Sequence, residues 1–74
     1  MDRTLAVLPP GGSGIVRAVM LPRGIRERLW DIGLLPGTRV TCLHIAPAGS
    51  PAAYRIRGAV IALRRQDAAA ILLE

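Results

Sequence analysis

Cys42 and His44 stand two residues apart in an apolar run. On a strand that spacing turns both side chains to one face, where a thiolate and an imidazole could share a metal ion. Arg26 and Trp30 stand four apart. On a helix that is the distance at which a guanidinium stacks on an indole, and both residue types are enriched where proteins grip one another. Arg23 and Arg28 flank the pair and make the segment basic, suited to an acidic patch on a partner, to lipid head groups or to RNA.

These readings differ in weight. His44 is the single histidine and Cys42 the single cysteine, and zinc or iron needs more ligands than two. No Cys-x-x-Cys or Glu-x-x-His pair completes a shell, so Cys42 and His44 remain weak metal candidates. A small buried cysteine and a strand-end histidine is the plainer account, and no cofactor is expected. The five carboxylates are scattered and form no catalytic set with a serine or histidine. Gly11-Gly12-Ser13-Gly14 lacks the lysine and following helix of a phosphate loop and reads as a turn.

Composition narrows the function classes. At 74 residues the chain is one domain, 1–74, with a thin core and no room for an extended substrate cleft. Ten arginines and no lysine against five acids give a formal charge of +5. A lysine-free, alanine-rich chain also fits a GC-rich genome, and a solvated basic face is the simpler reading of Arg23, Arg26 and Arg28. Trp30 and Tyr54 are the two aromatics. They lie on different elements, so no stacking platform for nucleic acid is expected. A single cysteine excludes an internal disulfide and fits a reducing compartment. The first residues, Met1-Asp2-Arg3 and a short apolar run, are too brief for a secretory signal. No apolar run approaches the ~20 residues that span a bilayer. A cytoplasmic protein is expected, reaching a membrane only through a partner.

The elements follow from glycine, proline and apolar periodicity. Ile25, Leu29 and Ile32 form one stripe of a helix over residues 24–32. Gly33 suits the left-handed cap position, with Leu34 folding back onto Leu29. Pro36-Gly37 suits the centre of a type II turn. Before the helix, residues 14–21 read as a strand with Val16, Ala18 and Met20 on one face. After it, residues 38–46 set Val40, Cys42 and His44 on one face, and residues 53–57 turn Tyr54 and Ile56 inward with Arg55 and Arg57 outward. Gly58 lets the chain reverse into residues 60–63, where Ile61 and Leu63 form the core pair. A helical turn over 65–69 and a strand over 71–73 close the chain. The expected fold is mainly β: a small SH3-like barrel of about five strands, with one short helix inserted after the first strand.

Four blocks in order resemble the FeoA family. They are Leu8-Pro9-Pro10-Gly11-x-x-Gly14, then Arg26-x-Arg28-Leu29-x-x-Ile32-Gly33-Leu34-x-Pro36-Gly37, then Ala46-Pro47-x-Gly49-x-Pro51. The last is Gly58-x-x-Ile61-Ala62-Leu63-Arg64-x-x-x-Ala68-x-x-Ile71. The resemblance implies an SH3-like, non-enzymatic accessory protein of bacterial ferrous iron uptake. It would act on the cytosolic domain of the FeoB permease and be held at the inner membrane through that partner, with Arg26, Trp30, Arg23 and Arg28 as contact residues. Small barrels of this kind can also pair through their edges as homo-oligomers. Similar domains end metal-dependent bacterial repressors, so a sensory module is the alternative. Ser50 departs from the family's usual aspartate in the third block.

Overall fold

The computed structural model describes residues 3–74; Met1 and Asp2, the start of the stretch read above as too short for a secretory signal, lie outside the described residues. Six strands form one antiparallel sheet: β1 (Arg3–Thr4), β2 (Ser13–Val19), β3 (Arg39–Ile45), β4 (Ala52–Ile56), β5 (Ala59–Leu63) and β6 (Ile71–Leu73). Their order is β1-β6-β2-β3-β4-β5. Helix α1 (Arg23–Asp31) links β2 to β3, and the short helix α2 (Arg65–Ala68) precedes β6. The mainly-β expectation is met. The extra strand is β1, whose two residues are too few to carry an alternation; α1 therefore comes after the second strand, not the first.

The sheet curls over a core whose fully buried members include Leu5, Val16, Leu34, Val40, Cys42, Ile56 and Ile71. Each large apolar side chain so buried contributes about 1.5–3 kcal/mol. Leu5 sits in a 3-10 turn (Leu5–Val7) just after β1. Its carbonyl accepts a hydrogen bond from the buried Tyr54 hydroxyl at 3.3 Å, which ties the start of the chain to β4.

Two β-bulges sharpen the curl and rearrange the faces. On β2 the pairing with β6 slips between Val16 and Ala18, so Val16 and Val19 are buried while Met20 is exposed. That corrects the expected face of Val16, Ala18 and Met20: one extra residue reverses the parity of every later position on the strand. On β3 the pairing with β4 slips between Cys42 and His44.

The turns obey glycine chemistry. Gly33, at φ 101°, ends α1. The Gly33 amide donates to the Trp30 carbonyl and the Leu34 amide to the Leu29 carbonyl, both at 2.9 Å, the bonding of a Schellman cap. Thr38 then donates to the Leu35 carbonyl at 3.0 Å across Pro36-Gly37, with Gly37 at φ 92°, as a type II turn requires. Between β4 and β5 both Arg57 and Gly58 take positive φ, 49° and 88°, and Ile56 faces Ala59. This is a two-residue hairpin of the primed type. Arg57 thus belongs to the turn rather than to the end of the strand.

Ser50 also has a defined contact. Its Oγ accepts the backbone N–H of Arg65 at 3.0 Å, so the hairpin loop satisfies an orphan amide at the start of α2.

Both the cap and the Ser50 contact are open to measurement. A Cβ placed on Gly33 would lie 3.0 Å from Arg57 Cδ, whereas one on Gly37 meets nothing within 4 Å. Gly33→Ala is expected to lose about 1–2 kcal/mol in urea unfolding and Gly37→Ala less; equal losses would refute the packing of Arg57 on the cap. Ser50→Ala should cost about 1 kcal/mol. Ser50→Asp keeps an acceptor at the helix start and should hold Tm at or above the parent value; a Tm below that of Ser50→Ala would sink this account.

Candidate functional site

Helix α1 is poorly embedded. Of the expected stripe only Leu29 is buried, while Ile25 and Ile32 remain 43% and 38% exposed. The helix makes few contacts with the sheet and hangs from its C-terminal cap. Apolar side chains that a larger domain would cover therefore face solvent.

On a helical wheel Ile25 and Ile32 lie to one side of Leu29, with Arg26 and Trp30 to the other. The Arg26 guanidinium carbon lies 5.2 Å from the centroid of the Trp30 ring, within cation–π range. Trp30 is 39% exposed, so the ring has a covered edge and an open one. The Arg26 Nε–H is buried and has no acceptor among the described residues. The three helix arginines are not equivalent. Arg23 pairs with Glu27 at 2.9 Å along one turn, an exposed pair that adds little. Arg28 is exposed in the last turn, where its charge suits the helix dipole.

Cys42 and His44 do not share a face. The bulge at Leu43 interrupts the alternation, leaving Cys42 fully buried and His44 exposed. Among the described residues no three His, Cys, Asp or Glu side chains gather as metal ligands. Burial pushes the Cys42 thiol above its ordinary value of 9.0, partly offset by a hydrogen bond from the His44 backbone. Tyr54, paired with Cys42 across the strands, rises above its ordinary 10.0, first by burial and then by the neighbouring thiol charge.

A second group of arginines is not evident as a site from sequence alone. Arg39, Arg55 and Arg57 line one concave surface with Thr41. The outward alternation of Arg55 and Arg57 is a visible signal, but the register that sets Arg39 beside them is not.

Likeness to known proteins, set beside this geometry, decides the family. The FeoA domain profile matches residues 3–74. The chain belongs to the FeoA family. Over 53 residues it is 40% identical to the Fe(2+) transport protein A/Fe(2+) transporter FeoB fusion protein of Porphyromonas gingivalis, a match over 70% of this chain and 6% of that far longer protein. The solution structure of the FeoA protein from Chlorobium tepidum superposes with a TM-score of 0.90 at 30% identity, over 96% of this chain and 69% of that one. FeoA of Stenotrophomonas maltophilia, crystallised with zinc and described as a prokaryotic SH3 domain protein, gives 0.84 at 28% identity, over 97% and 89%. A manganese-dependent transcriptional repressor gives 0.83 at 20% identity, over 97% and 40%; that likeness is one of fold. The SH3-like architecture expected of a FeoA domain is thus the one observed.

The buried pair sets a pH dependence. Cys42 and Tyr54 are protonated in the fold, whereas in the unfolded chain each ionises near its ordinary value. The unfolded state therefore binds fewer protons at high pH. Stability from these two groups is fully present below about pH 9 and falls above it, by at most about 1.4 kcal/mol per pH unit for each group. Urea unfolding between about pH 7 and 10.5 checks this. Cys42→Ala should delay the fall to the tyrosine range.

Proposed function

We propose that this FeoA domain is a non-enzymatic accessory module of bacterial ferrous iron uptake that docks on the cytosolic domain of the FeoB permease. The observation that carries the reading is the fusion relative, in which a FeoA segment and a FeoB transporter form one polypeptide. Fusion keeps two segments at high effective concentration, the arrangement expected of parts that work in contact.

The contact surface in this reading is the exposed face of α1. Trp30 anchors it, held in one orientation by the Arg26 stack, and so loses little freedom on binding. Arg26 and Arg28 offer their charge to acidic groups. Arg23 is engaged with Glu27 and contributes at the rim. Ile25 and Ile32 supply apolar area on the other flank of Leu29. Among the described residues no helix is long and apolar enough to cross a membrane. In this reading the domain reaches the inner membrane through the permease and performs no chemistry itself.

Titration of the protein against the soluble portion of FeoB, with and without guanine nucleotide, tests the docking. Trp30→Ala should weaken binding by about 2 kcal/mol, roughly thirtyfold, with the unfolding midpoint nearly unchanged because the ring lies outside the core. Absence of binding by the folded parent protein across salt concentrations rejects the docking. A large loss of stability in Trp30→Ala assigns the ring to the fold instead.

A further inference from the structure

A solvent-open cleft of about 390 Å3 lies over the β3–β4 pair, lined by Arg39, Thr41, Arg55, Arg57 and the turn glycines Gly37 and Gly58. Register builds it. Thr41 faces Arg55 and Val40 faces Ile56, so Arg39 and Arg57 each stand one residue beyond that last pair. Alternation turns Arg39 and Arg55 away from the buried Val40, Cys42, Tyr54 and Ile56, and Arg57, in the turn that follows β4, is exposed. A Cβ on Gly37 or Gly58 would meet nothing within 4 Å, so both turn glycines border open space. The stem of Arg57 lies against Gly33 at the end of α1, which fixes its direction. The Thr41 hydroxyl is held by Ser13 at 2.8 Å.

Among the described residues none of the three guanidinium groups has a carboxylate partner; the Arg23–Glu27 ion pair lies on α1. Like charges on neighbouring strands repel, and no acid among the described residues relieves them. An anion from outside would.

We propose that this cleft binds an acidic, extended segment of a partner protein, with carboxylates forked by Arg39, Arg55 and Arg57. Arginine's planar fork matches carboxylates two-pronged. Arg39 and Thr41, two residues apart on β3, are spaced by roughly 6–7 Å, the repeat of alternate side chains on an extended peptide, and Arg55 faces Thr41 from the next strand. An arginine-lined surface open to solvent suits a chain crossing it better than an enclosed small molecule. No aromatic side chain lines the cleft to stack a base. The site lies beside the α1 face and does not depend on which protein occupies that face.

The test uses a fluorescent peptide of alternating glutamate and serine, monitored by anisotropy and by amide NMR shifts of the full chain. Shifts are expected on β3, β4 and the 57–58 turn. The double variant Arg39→Gln/Arg55→Gln should weaken binding about tenfold. Arg23→Gln/Arg28→Gln, which removes the same net charge from α1, should change it by less than about twofold. Should the glutamine pair fail to fold, Arg39→Lys/Arg55→Lys keeps the charge, removes the fork and should still weaken binding about threefold. Equal losses in both glutamine pairs, shifts confined to α1, or displacement of the peptide by lower concentrations of inorganic phosphate or an oligoribonucleotide would overturn the proposal.

Discussion

Two backbone hydrogen bonds at the end of α1, Leu34 to Leu29 and Gly33 to Trp30, hold the outward-facing part of this molecule in place. A nine-residue helix with one buried side chain has little tertiary packing to sustain it. The cap supplies the hold that packing does not: it ends the helix, drives Leu34 into the core, and leaves Trp30 half-covered under Arg26. Because Gly33 also carries the stem of Arg57, the same few atoms link the helix to the β4–β5 turn. The cap therefore positions both candidate surfaces, and glycine suits it by its left-handed conformation while leaving room for the stem of Arg57.

The sheet imposes the second constraint. Six short strands enclose a core only by curling strongly, and the two bulges supply that curl. Each bulge reverses the parity of the residues beyond it. Val19 enters the core where Met20 would have been expected, and His44 leaves the face of Cys42. The Tyr54 hydroxyl then closes the fold onto the carbonyl of Leu5. In so small a domain these polar contacts carry weight that a larger apolar core would otherwise carry.

Charge is distributed by this geometry rather than spread evenly. Arg23 is satisfied within its own helix, Arg26 is backed by an indole, and Arg39, Arg55 and Arg57 meet no acid among the described residues. An excess of +5 read from composition speaks only to solubility and loose attraction. Its division into an aromatic-backed face and a concave cluster is what gives it the form of recognition surfaces. The Ser50 hydroxyl shows the same economy: where a FeoA hairpin usually carries aspartate, it still offers one oxygen to the start of α2.

What the amino-acid order determined by itself was local. The helix and its stop, the type II turn at Pro36-Gly37, the reversal at Gly58 and the inward Tyr54 and Ile56 all arise from interactions spanning a few residues. The Arg26–Trp30 stack was legible for the same reason, being one helical turn long. Tertiary structure decided the rest. Whether Ile25 and Ile32 are covered depends on how closely α1 meets the sheet. Where alternation breaks depends on strand pairing, and which arginines become neighbours depends on a register joining residues far apart in the chain. Periodicity reports which face a side chain shares with its sequence neighbours, but only the paired and curled sheet determines what that face meets.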